Sequence, residues 1–317
     1  MIRMLAIAAG FIAATITSEA HAQAPVCSTP ATTAALTTQI EAAASEIAQN
    51  RVAIVVGNAV YGASAGVSNL PNANNDARTV ADVAHYADYL TFCFQNLSGA
   101  QLLELARLMD VHAPGSAEGV SANDKSHLFF YFAGHGFQYN SETYIVPANY
   151  SVTNGQAINS AVNLRLLLRR FRAGADFLIA AIDACRGPAP TGVAGAQTLP
   201  IGNGPTAPTA LGAGLLVQFS SAPGHLAADQ GAAPGYGAYA PNFVELAEMP
   251  GLLMGLVFLK TKSRTTQTSG QVQIPQTSDN LWDDARTFHP ALTSAEENFA
   301  TAWIAQNGSA QPRPCVR

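Results

Sequence analysis

Three short runs of almost wholly apolar residues constrain the fold of this chain more than any other feature. They cover residues 51–57, 126–133 and 176–182, and they are rich in β-branched and aromatic side chains. A strand without polar alternation is buried on both faces, which is typical of a parallel sheet covered by helices. Helical patterns lie between the runs. The sequence therefore predicts an α/β fold made of βαβ units.

Several helices and one more strand complete this pattern. Asn75 and Asp76 are expected to cap a helix that extends to about Tyr89, because their side chains accept hydrogen bonds from the first turn of a helix. Residues 164–171 form a second helix, whose arginines lie on the solvated side. The remaining predicted elements are a helix over 32–49, a strand over 215–220 and a helix around 242–248.

Residues 1–22 have the pattern of a secretory signal peptide. Arg3 precedes an apolar run, and Ala20-His21-Ala22 fits the rule for cleavage between small residues. The apolar run is shorter than the about 20 residues of a membrane span, so a retained anchor is the weaker alternative. We expect an exported protein, periplasmic or secreted, with no membrane attachment once the leader is removed. The Ala-rich leader and chain favour a bacterial source.

The rest of the chain divides by composition. A helical segment over 23–50 precedes the main domain over 51–280, and an extension over 281–317 follows it. Within the main domain, residues 187–214 contain Pro, Gly, Ala and Thr without charge or periodicity, which predicts a long mobile loop. Such a loop is uncommon in a compact domain unless it has a function.

Composition excludes several classes of protein. The chain has 317 residues, of which 48% are hydrophobic and 12% charged, so it can bury a large core and is not disordered. Its formal net charge is −5, and it has no basic run that could neutralise a series of phosphates. We therefore expect no nucleic-acid partner.

Four cysteines remain after the predicted cleavage. Cys27 and Cys315 lie near the two ends of the mature chain, which are often close together in a domain, and export exposes them to an oxidising compartment. We predict a disulfide between them. Cys93 is interpreted as a small core residue. Cys185 is left without a structural partner.

Two of the predicted strands end in a reactive side chain between small residues. His135 lies between Gly134 and Gly136, and Cys185 follows Ala184. Binding sites of open parallel sheets form at the carboxyl ends of the strands. A free thiol is mostly protonated at neutral pH, and a neighbouring imidazole can accept its proton. His135 and Cys185 are therefore a candidate nucleophilic pair.

The sequence resembles the caspase-like cysteine peptidases, the caspase and metacaspase group of clan CD, especially their bacterial members. His135 precedes Cys185 by about 50 residues, as in the caspase signature. The resemblance covers about residues 51–280. It is carried by residues 51–58, Asn75-Asp76, 130–136, 144–147, 182–186, 220–229 and 268–275.

This resemblance implies a three-layer sandwich, with a mostly parallel central sheet and helices on both faces. It implies that Cys185 attacks a peptide carbonyl, that His135 transfers the proton, and that the backbone N–H groups of Gly136 and Cys185 hold the oxyanion. The substrate would be a peptide or protein, and no cofactor or metal is expected. Calcium activation, known in many metacaspases, and the choice between monomer and homodimer stay open.

The residues around Cys185 depart from those of caspases that cleave after aspartate. Asp183 stands where caspases have Gln, and the stretch 52–75 has no Arg or Lys that could receive an acidic P1 side chain. Asp183 and Asp229 instead resemble the acids with which metacaspases bind a basic P1 residue. The sequence therefore predicts cleavage after Arg or Lys. Arg186 matches caspases rather than metacaspases, so the subgroup stays open.

Less specific interpretations of the same residues, and other functions of the chain, remain open. Cys185 alone could be a buried structural residue, and Asp183 or Asp229 could serve as a turn residue. A non-catalytic member of the fold, acting as a binding or regulatory module, is the alternative function, and a hydrolase of non-peptide esters or amides is a third. The loop over 187–214 has no Arg or Lys, so an enzyme with this specificity would not cleave itself there. Five other histidines show no metal-ligand spacing: His85, His112, His127, His225 and His289.

Overall fold

The three apolar runs form adjacent strands of one sheet. The computed structural model describes residues 25–48, 51–112, 127–140, 142–153, 157–185, 187–188, 213–223, 227–281, 287–291 and 294. In chain order, β1 to β10 are Val52–Gly57, Leu90–Gln95, His127–Gly134, Gly136–Tyr139, Glu142–Ile145, Val162–Asn163, Phe177–Ala184, Gly187–Pro188, Leu215–Phe219 and Gln276–Asp279. The predicted leader (1–22) and residues 189–212 of the predicted loop lie outside the described residues.

The helices follow the predicted alternation with the strands. In chain order, α1 to α8 are Thr33–Ala42, Ala44–Ile47, Ala73–Tyr86, Gly99–His112, Ala157–Ser160, Leu164–Ala173, Ala240–Ala247 and Met254–Thr268, with a short 3₁₀ helix at Ala63–Ala65. The helix predicted over 32–49 is interrupted at Ala43. In the described part of the chain, no helix combines the length and the apolar character that a membrane span requires.

The main sheet has the strand order β10-β9-β7-β3-β1-β2. All its pairs are parallel except β10 with β9, which forms an antiparallel edge. Every residue of β1, β3 and β7 is buried, as their composition predicts. One face of the sheet packs against α1, α4 and α6, and the other packs against α3, α7 and α8. The predicted three-layer α/β sandwich is confirmed.

The start of α3 differs from the prediction. The helix begins at Ala73 after Asn72, so Asn75 and Asp76 lie within its first turn and do not cap it. Asp76 is buried, with 3% of its surface exposed. An acidic side chain inside a helix and out of water needs an explanation other than capping, because burying an ionised carboxylate is costly.

The disulfide prediction was wrong in its partner. Cys27 is bonded to Cys93, with their Cα atoms 4.4 Å apart, whereas Cys315 lies outside the described residues. The segment around Ser28 extends the edge of the sheet beside β2, since the Ser28 N–H donates to the Cys93 carbonyl at 2.9 Å and the Gln95 N–H donates to the Ser28 carbonyl at 2.8 Å. This pairing brings the two thiols together, and Cys93 is thus both a core residue and half of a cross-link.

Removing this disulfide is expected to destabilise the protein without affecting the chemistry at His135 and Cys185, because Cys93 lies on the edge strand β2, which β1 separates from β3. Cys27→Ser should lower the free energy of unfolding by about 2–5 kcal/mol, with a fall in Tm of about 2–4 °C for each kcal/mol. Thermal melting with and without reductant checks this. Reductant should lower the Tm of the wild type to that of the variant, and Cys27→Ser/Cys93→Ser should melt with the single variant. Equal Tm values for oxidised wild type and variant would contradict it.

A smaller sheet covers the carboxyl end of the main one. Its strand order is β6-β5-β4-β8, and β4 starts one residue after β3 ends. The residue between these two strands is His135. The fold thus places His135 at a junction between two sheets, where the backbone on both sides is held by strand pairing.

Candidate active site

Strand pairing brings the two predicted reactive residues together. Strands β3 and β7 are parallel neighbours, and their register aligns Gly134 with Ala184. The next residue of each chain segment, His135 and Cys185, therefore leaves the sheet side by side. Both residues are partly exposed to solvent.

Gly136 lies directly against the backbone of Cys185. A Cβ atom added to Gly136 would be 2.8 Å from the Cys185 carbonyl oxygen and 3.2 Å from the Tyr144 carbonyl oxygen. No side chain fits there without moving the backbone. The two residues predicted to donate N–H groups to an oxyanion are thus in contact with each other.

The imidazole of His135 is held by the loop that follows β1. Its Nε2 atom lies 2.7 Å from the Ser68 carbonyl oxygen. A carbonyl oxygen can only accept, so Nε2 carries the proton and Nδ1 keeps its lone pair. Burial lowers the pKa of His135. The ring is therefore neutral at neutral pH, with Nδ1 available as a base.

The thiol of Cys185 is protonated in this environment. Burial raises its pKa, and the negative charges of Asp183 and Asp229 raise it further. The backbone N–H of Ala227 donates to Sγ at 3.3 Å. A thiol with a raised pKa needs a general base to become a nucleophile at neutral pH, and the neutral His135 beside it has that capacity.

A pocket beside Cys185 contains three carboxylates. Asp76, Asp183 and Asp229 line it, and its apolar wall includes Leu70. None of the ion pairs among the described residues includes any of the three. In the same described ranges, no group of three or more His, Cys, Asp and Glu side chains is arranged to hold a metal ion.

Comparison with known families decides where this fold and cleft belong. The family model described as the caspase domain, peptidase family C14, matches residues 50–285, which is most of the chain. The chain belongs to the caspase domain family. No curated protein matches it. The resemblance to the caspase-like cysteine peptidases is thereby confirmed at the level of the family. Membership supports a peptidase-like hydrolase with a cysteine nucleophile that acts on peptide or protein substrates.

Two of the three carboxylates in this caspase-family pocket are deeply buried. Asp183, 9% exposed, accepts a hydrogen bond from the Tyr131 hydroxyl at 3.2 Å, and burial raises its pKa to about 6. Asp76 accepts the Gly237 N–H with both oxygens at 3.0 Å. Burial, followed by the charge of Asp183, raises the pKa of Asp76 to about 8. Each carboxylate makes its neighbours harder to ionise.

Asp229 is less buried than the other two carboxylates of the caspase-family pocket. Burial raises its pKa, whereas the positive form of His135 would lower it. Its backbone carbonyl accepts a hydrogen bond from the Asn72 side chain at 2.6 Å, which ties it to the start of α3. Asp183 and Asp229, both named from the sequence, therefore do lie in one pocket with Cys185.

Asp76 was missed as a site residue in the sequence analysis. Its position after Asn75 favours capping, and that interpretation accounts for an acidic side chain near a helix start. The structure places it in the same pocket as Asp183, where it has no capping role. The sequence did contain one signal, because Asp76 lies on the same apolar side of α3 as Ala77 and Val80, and an acidic residue on a buried helix face is unusual.

Proposed function

We propose that this member of the caspase family is an exported endopeptidase that uses Cys185 and His135 as a dyad and cleaves after Arg or Lys. The observation that carries the proposal is the pocket beside Cys185, in which three carboxylates have no cationic partner among the described residues. A guanidinium or ammonium group is the chemical partner that such a pocket lacks.

The proposed reaction follows the protonation states of the two groups. Nδ1 of His135 accepts the thiol proton as Sγ of Cys185 bonds to the substrate carbonyl carbon. The oxyanion that forms is held by the N–H groups of Gly136 and Cys185, and each such donor is typically worth about 2.7–4 kcal/mol. The imidazolium then protonates the leaving amine, which leaves a thioester. Water, deprotonated by His135, hydrolyses the thioester and restores the thiol.

The P1 side chain takes part in both binding and activation. A cation in the pocket forms charge-assisted hydrogen bonds with Asp183 and its neighbours, and it offsets the negative charge that raises the pKa of Cys185. An acidic P1 side chain would be repelled by the same groups. The pocket therefore favours Arg or Lys at the step of thiol ionisation as well as at the step of binding.

A panel of fluorogenic peptides that differ only at P1 tests the proposal. Arg and Lys substrates should be cleaved with a kcat/KM at least about 100-fold above the matched Gln and Asp peptides, which corresponds to about 2.7 kcal/mol of discrimination. The assay is run with and without calcium, and a matched Arg ester is included. Asp-selective turnover would refute the pocket assignment. Inert protein would favour a binding module, and turnover of the ester alone would favour a non-peptide hydrolase.

The proposed export rests on the predicted leader and on the disulfide between Cys27 and Cys93, since such bonds persist in oxidising compartments. Mass spectrometry of the protein recovered from outside the cytoplasm tests it. The mature chain should start at Gln23. A cytoplasmic, full-length protein with reduced Cys27 would overturn the assignment.

A further inference from the structure

One tyrosine contacts His135 in two ways. The hydroxyl oxygen of Tyr61 accepts a hydrogen bond from the backbone N–H of His135 at 3.1 Å. The Tyr61 ring also packs against the imidazole, with the ring centroids 5.0 Å apart and the planes inclined by 52°. Tyr61 therefore restrains both the backbone and the side chain of His135.

Tyr61 is itself fixed by two hydrogen bonds, one from its hydroxyl and one from its backbone N–H. Its hydroxyl donates to the Asn58 carbonyl oxygen at 2.8 Å, and its backbone N–H donates to Oδ1 of Asn69 at 2.9 Å. Only 7% of the residue is exposed. Burial raises the pKa of Tyr61, so the hydroxyl keeps its proton and can donate and accept at the same time.

The support of Tyr61 extends into the core. Asn58 is fully buried, and its side-chain amide donates to the Leu97 and Val146 carbonyls at 3.2 and 3.3 Å and accepts the Leu97 N–H at 2.9 Å. The loop that contains Tyr61 is thus anchored at its first residue, Asn58, directly after β1. The same loop continues to Ser68, whose carbonyl binds Nε2 of His135. The imidazole is consequently clamped between two points of one loop.

We propose that Tyr61 is a positioning residue for His135, which keeps the imidazole oriented so that Nδ1 can serve Cys185. The inference rests on the proposed dyad. Tyr61 does not contact the peptide bond in this assignment and acts through His135 alone. Its hydroxyl is the critical group, because without it the His135 N–H loses this acceptor, and the loop then contacts His135 only through the Tyr61 ring and the Ser68 carbonyl.

Tyr61→Phe isolates the hydroxyl, and Tyr150→Phe is the matched control. Tyr150 is buried in the same apolar cluster as Tyr61, but its hydroxyl has no hydrogen-bond partner among the described residues. For an Arg peptide, Tyr61→Phe should lower kcat about 10- to 100-fold while KM changes less than about twofold, because orientation and not binding is lost. Tyr150→Phe should match the wild type in both constants.

Alkylation of Cys185 gives a second readout that needs no peptide turnover. Iodoacetamide labelling is followed by mass spectrometry of the peptide that contains Cys185, across pH 5–9 and below the Tm of each variant. Wild type and Tyr150→Phe should show a step in rate from the ionisation of His135, below its ordinary pKa. In Tyr61→Phe this step should shift or vanish.

The outcomes separate this inference from the proposed function. A wild type that shows neither peptide cleavage nor a histidine-linked step in alkylation would refute the dyad, and the role of Tyr61 with it. A wild type with both properties, matched by Tyr61→Phe in kcat and in the alkylation profile, would overturn the role of Tyr61 alone. A loss of kcat with an unchanged alkylation profile would also count against positioning of His135.

Discussion

Replacing Cys185 with alanine is expected to lower kcat for Arg and Lys peptides by about 10⁴-fold or more. The thioester cannot form without Sγ, and the remaining groups could only bind the substrate and polarise its carbonyl. The fold should be unaffected, because the thiol makes only two weak hydrogen bonds in the described part of the chain, both with the Ala227 backbone, and is partly exposed. Steady-state assays, together with the loss of labelling by an Arg-directed covalent probe, measure the effect.

Histidine variants show whether the two residues act as a unit. His135→Ala should lose nearly as much activity as Cys185→Ala. The double variant should be about as active as the less active of the two single variants, since the effects of residues that act as one catalytic unit do not add. His112→Ala is the control, because His112 is the last residue of α4, the helix between the carboxyl end of β2 and the amino end of β3, whereas His135 follows the carboxyl end of β3. Cys185→Ala that keeps more than a few per cent of the activity would contradict the dyad.

The central strands were predictable because the apolar composition of each one indicates that it is buried on both faces. Strands β1, β3 and β7 lie within one or two residues of the predicted runs. A strand buried on both faces must be apolar throughout, so the pattern is local and needs no knowledge of partners. The placement of His135 and Cys185 after the ends of neighbouring strands was predictable for a related reason, since parallel strands end on the same side of a sheet.

The role of Asp76 could not be obtained in this way. Its environment is created by Gly237, which is 161 residues away in sequence and donates its N–H to the carboxylate. An acidic residue that caps a helix and an acidic residue that lines a pocket can have the same local sequence. Only the approach of the segment before α7 distinguishes them, and that approach depends on packing between distant elements.

The pairing of Cys27 was equally dependent on distant contacts. Proximity of chain ends is a general tendency, and it favoured Cys315 as the partner. The actual pairing follows from one short parallel bridge, in which Ser28 extends the edge at β2 beside Phe94. A bridge of this length has no sequence signature. Cys93 sits within an apolar run, so its burial was correctly predicted although its bond was not.

Neutralising the buried acids is expected to have opposite effects on activity and on stability. Asp183→Asn and Asp76→Asn should each lower kcat/KM for Arg peptides by about 30- to 1,000-fold, because removing one partner of a desolvated charge pair costs about 2–4 kcal/mol. The Gln peptide should be little affected. Asp279→Asn replaces an exposed residue on β10 and changes the formal net charge equally. It should leave the cleavage of both substrates unchanged.

Stability should change in the other direction, with a pH dependence set by the raised pKa values. Folded Asp183 and Asp76 bind protons with pKa values of about 6 and about 8, whereas the unfolded chain binds them near pKa 3.9. The stability that these groups contribute is therefore present below about pH 4 and is lost as pH rises towards 8. Asparagine does not ionise, so both variants should melt above the wild type at pH 8, with a smaller difference at pH 5.

The same titration predicts how activity responds to pH. Binding of a P1 cation requires ionised carboxylates, so KM for Arg peptides should fall as pH rises from 5 to 8, and this fall should weaken in Asp183→Asn. Thermal melting measures the predicted change in stability, and Michaelis constants at the same pH values measure the predicted change in substrate binding. Variants that gain no stability at pH 8 would show that the acids are not strained by burial. Variants that cleave Arg peptides as well as the wild type would show that the cation binds elsewhere, because a pocket built from these carboxylates cannot lose its charge and keep its ligand.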